Sequence, residues 1–394
     1  MAEMLGEEGS RGSREGPLAR WRAAFLDWRN RTVASPAFQR WAASFPLTRP
    51  VANAEARRLF EITAGFVNSQ VLGAAVRLGL FEMLAEGPLS AETIALRSGL
   101  KPEAALRLCE AAAALGLLSR RPGREGRVRF GLGQLGAALR GNPGVVAMIR
   151  HHDMLYRDLA DPLALLRGEA DPETGRFWAY ARDPGGQAQL AQSFGAEAVA
   201  DYSALMAASQ QFIAEDVLSA LPLRRYRRLL DLGGGEGAFL MAAGAAAPHL
   251  QLRLFDLPAV ADRARARFAE AGLGDRAEAH GGDFFASALP GGCDAVSLVR
   301  VLYDHDDAFV RRLLERARAA LAPGGTLIVA EPMAGLPGAR AIEPYFAFYL
   351  LAMRSGRLRR PDEIAALLRD AGFRAVRRQR TRRPLLTGLV TAHA

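Results

Sequence analysis

Arg228-Leu-Leu-Asp-Leu-Gly-Gly-Gly-Glu-Gly-Ala-Phe-Leu240 is the stretch on which the fold turns. An apolar run stops at Asp231 and gives way to glycines at 233, 234, 235 and 237, then to an apolar, helix-forming segment. Glycine lets a backbone pass close to a ligand, and the N-terminus of the helix behind it favours polar or anionic groups. Strand, glycine turn and helix together open a doubly wound α/β sheet. The same alternation continues downstream. Leu252–Phe255, Ala277–His280, Asp294–Val299 and Thr326–Ala330 read as further strands. Helices fill the gaps, among them Val310–Leu321, with Pro323-Gly-Gly325 as a stop. Phe373–Arg378 and Pro384–Thr391 read as two close strands, a hairpin that ends the sheet. The expectation is a mostly parallel α/β domain over residues 225–394.

Upstream, residues 51–150 are helical with short stops. Ser90 before Ala91-Glu-Thr93 is a good helix start, and Leu100-Lys-Pro-Glu103 opens a second helix through Leu106, Leu108 and Leu115. Gly116–Ser119 and Val128–Phe130 flank a turn at Pro122–Gly126. Helix, helix, hairpin is a winged-helix order. A nucleic-acid-binding version needs a basic recognition helix. Pro102–Leu115 has only Arg107 and is otherwise rich in Ala and Leu, which suits packing or dimerisation better. Residues 151–224 read as a helical connector that contributes to a substrate pocket. The connector holds His151-His152 and Trp178-Ala-Tyr180, broken at Pro162, Pro172 and Pro184-Gly-Gly186, with no metal spacing. Residues 1–50 are an extension. Its first sixteen residues read as disordered, and Trp21, Phe25 and Trp28 recur on one face of a following helix. That helix has two readings: aromatics dipping below lipid headgroups with arginines above, or a face packed on the protein itself or on a partner subunit.

The chain has 394 residues, half of them hydrophobic, and a mean hydropathy of zero. Bulk disorder, collagen and disulfide-scaffold classes are excluded. Cys109 and Cys293 make neither a disulfide framework nor a zinc ribbon, so no metal is expected and a reducing cytoplasm fits. No secretory signal is visible near the N-terminus. The longest uncharged apolar stretches, Tyr345–Met353 and Phe239–Pro248, fall short of the ~20 residues of a spanning helix. Net charge is +9, yet Lys101 is the sole lysine. Residues 17–50 hold six arginines against Asp27 alone, a balance that attracts anionic surfaces.

Each strand end offers a candidate ligand. Gly233-x-Gly235-x-x-Ala238 also fits a loose nicotinamide pattern. Asp231, two residues before the first glycine, favours S-adenosylmethionine, whose amino-acid portion is cationic. Gly233, Gly235 and Gly237 would line that ligand. Asp256, with Leu257 beside it, ends the second strand where a carboxylate can accept two ribose hydroxyls. Asp283 ends the third and is placed to accept from an adenine amine while Phe284 covers the ring. Both aspartates also suit an ordinary cap or turn.

Asp231-LGGGEGAFL, Phe255-DLPAV, His280-GGDFF, Ser297-LVRVLYDHDD and Leu321-APGGTLIVAEPM resemble the S-adenosylmethionine-dependent O-methyltransferases with a winged-helix dimerisation domain. Within them, Arg300-VLYDHDD and Tyr345-FAFYLLAMRSGR are similar to the carotenoid enzymes of the demethylspheroidene (hydroxyneurosporene) type. The resemblance covers roughly residues 50–394. It implies a class I methyltransferase sheet behind a mostly helical winged-helix domain, S-adenosyl-L-methionine as cofactor, a homodimer, and Arg300 near the adenine. Many relatives carry His-Asp-Trp after the fourth strand, the histidine serving as base. Here those positions are Tyr303-Asp304-His305, so Tyr303 or His305 would take the proton, with Glu331 as the flanking glutamate. A second flanking glutamate falls near Leu358 or Arg359, where no carboxylate stands. The implied substrate is the tertiary hydroxyl of an acyclic hydroxycarotenoid. Phe346, Phe348, Tyr349, Leu351 and Met353 are candidates for a tunnel lining, and equally for helix core. Peripheral contact of residues 17–50 with the inner face of the membrane would follow, and no nucleic acid is expected. The alternatives are a methyltransferase for a polyketide or small aromatic alcohol, a nicotinamide oxidoreductase, and a winged-helix regulator with a ligand-sensing methyltransferase-like domain.

Overall fold

The computed structural model describes residues 17–123, 126–176 and 210–394. The readings of residues 1–16, of Trp178-Ala-Tyr180 and of Pro184-Gly-Gly186 lie outside the described residues. Contacts divide the chain between Leu72 and Gly73, whereas the sequence placed a boundary at 50/51. One helix of 29 residues, Arg49–Arg77, spans both positions. Pro50 sits in its first turn, where a missing N–H is tolerated. Pro36 likewise opens the helix Pro36–Ser44, capped by Ser35.

Arg49–Arg77 also corrects the expectation about apolar length. Among the described residues it is a helix long and apolar enough to cross a membrane, by length and composition alone. Uninterrupted apolar runs miss it because Glu61 falls inside Leu59–Val76. Its Leu59, Ile62 and Phe66, at helical spacing, are about 70% exposed. Ahead of it, helix Pro17–Ala34 stacks Trp21 on Phe25 and sets Trp28 at a tilt to Phe25, both at 5.8 Å between ring centres. All three rings remain largely exposed.

The second unit opens with the expected winged-helix order. Strand β1 (Leu89–Ser90) leads into helices Ala91–Ser98 and Pro102–Ala114, and the hairpin β2 (Leu118–Pro122) and β3 (Val128–Leu132) follows. The three strands form one sheet in the order β1-β3-β2. Ser90 caps the first helix, accepting from the Thr93 N–H. Ala105, Cys109 and Ala112 bury one face of the second. Helices Gln134–Arg140 and Pro143–Asp158 lead toward the C-terminal sheet.

That sheet contains β4 (Arg228–Leu232), β5 (Gln251–Asp256), β6 (Ala277–Gly281), β7 (Cys293–Val299), β8 (Leu321–Glu331), β9 (Arg374–Gln379) and β10 (Gly388–His393). Their order is β6-β5-β4-β7-β8-β10-β9. The first five are parallel, and the β9–β10 hairpin joins antiparallel through β10 against β8. Pro323-Gly-Gly325 does not merely stop a helix, since β8 already begins at Leu321. The triplet lies in a register irregularity between Leu321, opposite Cys293, and Thr326, opposite Ala295. Residues 384–387 are turn rather than strand. Alternation along β4 sends Leu229 into the core cluster on one face and Leu230 and Leu232 into that on the other. From β4 the chain builds outward through β5 and β6, then returns to add β7 on the other side. The β4–β7 junction is therefore the topological switch point, where open α/β sheets take their ligands.

Candidate functional site

Parallel pairing puts the C-terminal ends of β4 to β8 on one edge, and the sequence places a polar or glycine residue at each. Asp231 stands at the end of β4 and is completely buried. Its Oδ1 accepts from Ser297 Oγ on β7 at 2.6 Å, while Oδ2 has no partner among the described residues. Burial pushes its carboxyl up to about 7; Ser297 opposes the shift and the nearby Asp256 charge adds to it. Asp231 is therefore enclosed beneath the glycine turn rather than presented on the surface. A Cβ at Gly234 would fall 2.7 Å from Oδ2, so the turn fits over the carboxylate only without a side chain.

Gly233, Gly235 and Gly237 all have left-handed φ, at 70°, 57° and 83°. Gly233 donates to the Phe255 carbonyl, which locks the turn onto β5. A Cβ at Gly237 would strike the Phe268 ring at 2.4 Å, whereas one at Gly235 would meet nothing within 4 Å. Gly235 thus faces open space at the crest of the turn. The Glu236 side chain is drawn aside by Arg263 and Arg267, at 3.0 and 3.1 Å.

Asp256 is tied to the same turn. Its Oδ2 accepts from the Gly235 N–H at 2.8 Å and its Oδ1 from the Leu257 N–H at 2.7 Å. Burial raises its carboxyl in spite of these two donors. Each oxygen keeps a second lone pair, as acceptance from a diol requires. Asp283 is exposed, and its Oδ1 caps the following turn by accepting from Phe285 and Ala286. Those backbone donors hold its carboxyl below the usual range. Phe284 stacks on Phe255, with ring centres 6.0 Å apart, and would lie 3.4 Å from a Cβ on Gly233. Arg316 fixes this loop by donating to the Phe284 and Ser287 carbonyls.

After β7 the backbone turns sharply. Arg300 has φ 59°, which L side chains rarely adopt, and its N–H still bonds Ala330 on β8. Its guanidinium donates to the Tyr303 hydroxyl at 3.1 Å. Tyr303 is buried, and its N–H donates to Glu331 Oε2 at 3.2 Å. Glu331 is wholly enclosed. Burial pushes its carboxyl up to about 8, against the pull of Arg359, so it is largely neutral at pH 7. His305 lies flat on Phe309, with ring centres 3.7 Å apart, and Phe309 meets Phe284 and Phe285 edge-on. Tyr303 instead belongs to an apolar cluster with Leu155, Leu165, Tyr349, Leu350 and Met353, edged by Phe346 and Leu351. Phe348 is partly exposed and outside that cluster.

The sequence reading missed the groups that shape the Tyr303–His305 loop. Arg359, at the position where a glutamate was sought, is fully buried. It donates to the Leu302 and His305 carbonyls and to Asp307, each at 2.7 Å. Gly356 presses on the same loop, and a Cβ there would collide with the Tyr303 carbonyl. One signal was visible, the glycine inside Ser355-Gly-Arg357, but nothing local says what it touches. Also missed were the contacts of His151 with Tyr349 and of His152 with Tyr345, because the partners are nearly two hundred positions apart.

Comparison with known proteins agrees with this fold. A family model described as an O-methyltransferase domain matches residues 156–374, and one for an O-methyltransferase dimerisation domain matches 60–140. Demethylspheroidene O-methyltransferase of Cereibacter sphaeroides is 47% identical over 92% of this chain and 93% of its own length. That of Rhodobacter capsulatus is 44% identical over 88% and 84%. Among solved structures, a mitomycin 7-O-methyltransferase superposes with TM-score 0.72 at 26% identity, over 88% of this chain and all of that one. Human N-acetylserotonin methyltransferase in complex with S-adenosylmethionine gives 0.67 at 26%, over 86% and 97%.

Proposed function

The chain belongs to the S-adenosylmethionine-dependent O-methyltransferases that carry a dimerisation domain, and from that premise we propose that it methylates the tertiary hydroxyl of an acyclic hydroxycarotenoid of the demethylspheroidene type. The observation that carries the substrate class is the 47% identity to a demethylspheroidene enzyme over nearly the whole chain. The apolar cluster around Tyr303 supports it, since an oily polyene gains by leaving water against such a wall.

The strand-end residues fit S-adenosylmethionine. Asp231 supplies negative charge beneath the glycine turn for a cationic amino-acid end, and its orphaned oxygen marks a site short of one positive partner. Gly233, Gly235 and Gly237 hold the turn open, Asp256 and Leu257 receive the ribose, and Asp283 with Phe284 and Arg300 border the adenine. The bound group supplies an electrophilic sulfonium methyl. A tertiary alcohol is a far weaker acid than a phenol, so full deprotonation before attack is not available. Alignment of the alcohol oxygen with the methyl dominates, and proton removal accompanies attack. Tyr303, with its hydroxyl held by Arg300 and its backbone by Glu331, orients that oxygen. Glu331, neutral near pH 7, positions Tyr303 rather than acting as base. His305, spread on Phe309, closes the aromatic side of the site.

The exposed Leu59, Ile62 and Phe66 face, within or beside the dimerisation match, is covered by a second copy in a homodimer. The exposed aromatics of Pro17–Ala34, set among arginines, contact an anionic membrane surface where the substrate resides. The substrate reading is tested by incubating the enzyme with labelled S-adenosylmethionine and a panel of hydroxycarotenoids and phenols. Label in the tertiary ethers of hydroxycarotenoids is expected. Label confined to phenols would overturn this reading in favour of the aromatic-alcohol one.

A further inference from the structure

Helix Pro143–Asp158 carries His151 and His152 side by side, and helix Glu343–Ala352 carries Tyr345 and Tyr349 one turn apart. The two helices meet as a ladder. His152 Nε2 lies 3.1 Å from the Tyr345 hydroxyl, and His151 Nε2 lies 3.1 Å from the Tyr349 hydroxyl. The two tyrosine rings stack at 5.7 Å. Phe346 touches Tyr345 at 5.3 Å and Tyr303 at 6.2 Å, both edge-on, so the ladder borders the Tyr303–Arg300 pair. Phenylalanine would fill this apolar cluster as well as tyrosine and without a polar group to desolvate. The rungs also differ. His151 is buried and pushed down to about 4, which keeps it neutral. His152 is partly exposed, and Asp153 counters part of the effect of its burial.

We propose that Tyr345 and His152 remove the substrate proton: the Tyr345 oxygen accepts it from the alcohol while the Tyr345 proton passes to His152 Nε2. This rests on the substrate reading above. In the step, the alcohol oxygen forms a bond to the methyl carbon and the carbon–sulfur bond breaks, its electron pair staying on sulfur. The products are the ether, a neutral thioether and a protonated His152, which returns its proton to water at its exposed edge. Tyr303 sets the alcohol's orientation, and Tyr345, on the same cluster, meets its hydrogen. Among the described residues, the charged and titratable groups around His152 are His151, Tyr156 and the Asp153–Arg77 pair on one side and Tyr345 and Tyr349 on the other; beyond them Arg300 and Tyr303 also act on Tyr345.

His152→Gln and Tyr345→Phe test the proposal, the second because it keeps the stacked ring. Wild-type enzyme is first assayed on the panel above to find the alcohol it methylates, which settles the substrate reading separately. On that alcohol, kcat of both variants is expected to fall about 100-fold. Affinity for S-adenosylhomocysteine, read by calorimetry, should stay within threefold, which also shows that the variants are folded. Wild-type kcat should fall as pH drops through the lowered His152 value, because the protonated ring cannot accept. That acid limb should vanish in both variants. Kcat within threefold of wild type with the limb intact would overturn the proposal, whatever the alcohol.

Discussion

Asp231 illustrates how much one residue can depend on burial. The sequence places it before the glycines, where its charge suits a cationic ligand, and burial raises its carboxyl to about 7. A carboxyl with that value is half protonated near neutrality. A cation bound above it favours the ionised form and lowers its pKa. Binding of S-adenosylmethionine should therefore release protons at pH 6 to 7 and none near pH 9. Affinity should weaken as pH falls through 7. Calorimetry in buffers of different ionisation enthalpy measures this directly. Asp231→Asn, which can still accept from Ser297, should abolish the release and weaken binding about tenfold, given an effective dielectric near 20. A release that survives in Asp231→Asn would assign the proton to another group.

At the scale of elements, the loop between β7 and the helix Asp307–Ala320 is shaped from outside. Its conformation is held by Arg359, by Gly356 and by the Asp306 cap on Phe309. Arg359→Met removes donors from two carbonyls and from Asp307, whose side chain is 35% exposed, so part of the loss is screened. We expect a destabilisation on the order of 2–3 kcal/mol, seen in urea melts, with a larger fractional loss of turnover than of stability. Gly356→Ala should match it, since φ is 65° and the added methyl meets backbone rather than a movable side chain. Retention of full turnover by both variants would show that the loop needs neither. The strands around this loop were legible in sequence because a buried parallel strand is a short apolar run between glycine or polar stops. The ends of β8 were not, because the irregularity at Pro323-Gly-Gly325 depends on pairing with β7.

For the whole molecule, the open question of the sequence was what the N-terminal aromatics face. Within their own unit Trp21 and Trp28 are more than half exposed. Six arginines against one acid over residues 17–50 favour an anionic surface. Each basic residue close to such a surface contributes about 1 kcal/mol, screened by salt. Deleting residues 1–48 should cut sedimentation with anionic liposomes at least tenfold and leave the Arg49–Arg77 helix intact. Equal binding of full-length and truncated protein would refute the anchor.

Local pattern alone determined the sheet, the winged-helix order, the glycine turn and the acidic strand ends. Each of these rests on spacing within a dozen residues, and hydrophobic period and backbone freedom act at that range. The contacts around the candidate site were decided only by tertiary structure. Arg359 clamps a loop more than fifty residues away, and His152 meets Tyr345 across 193 positions. Such contacts exist because packing brings distant helices to one edge of the sheet. The same burial sets which carboxyls and imidazoles carry charge there.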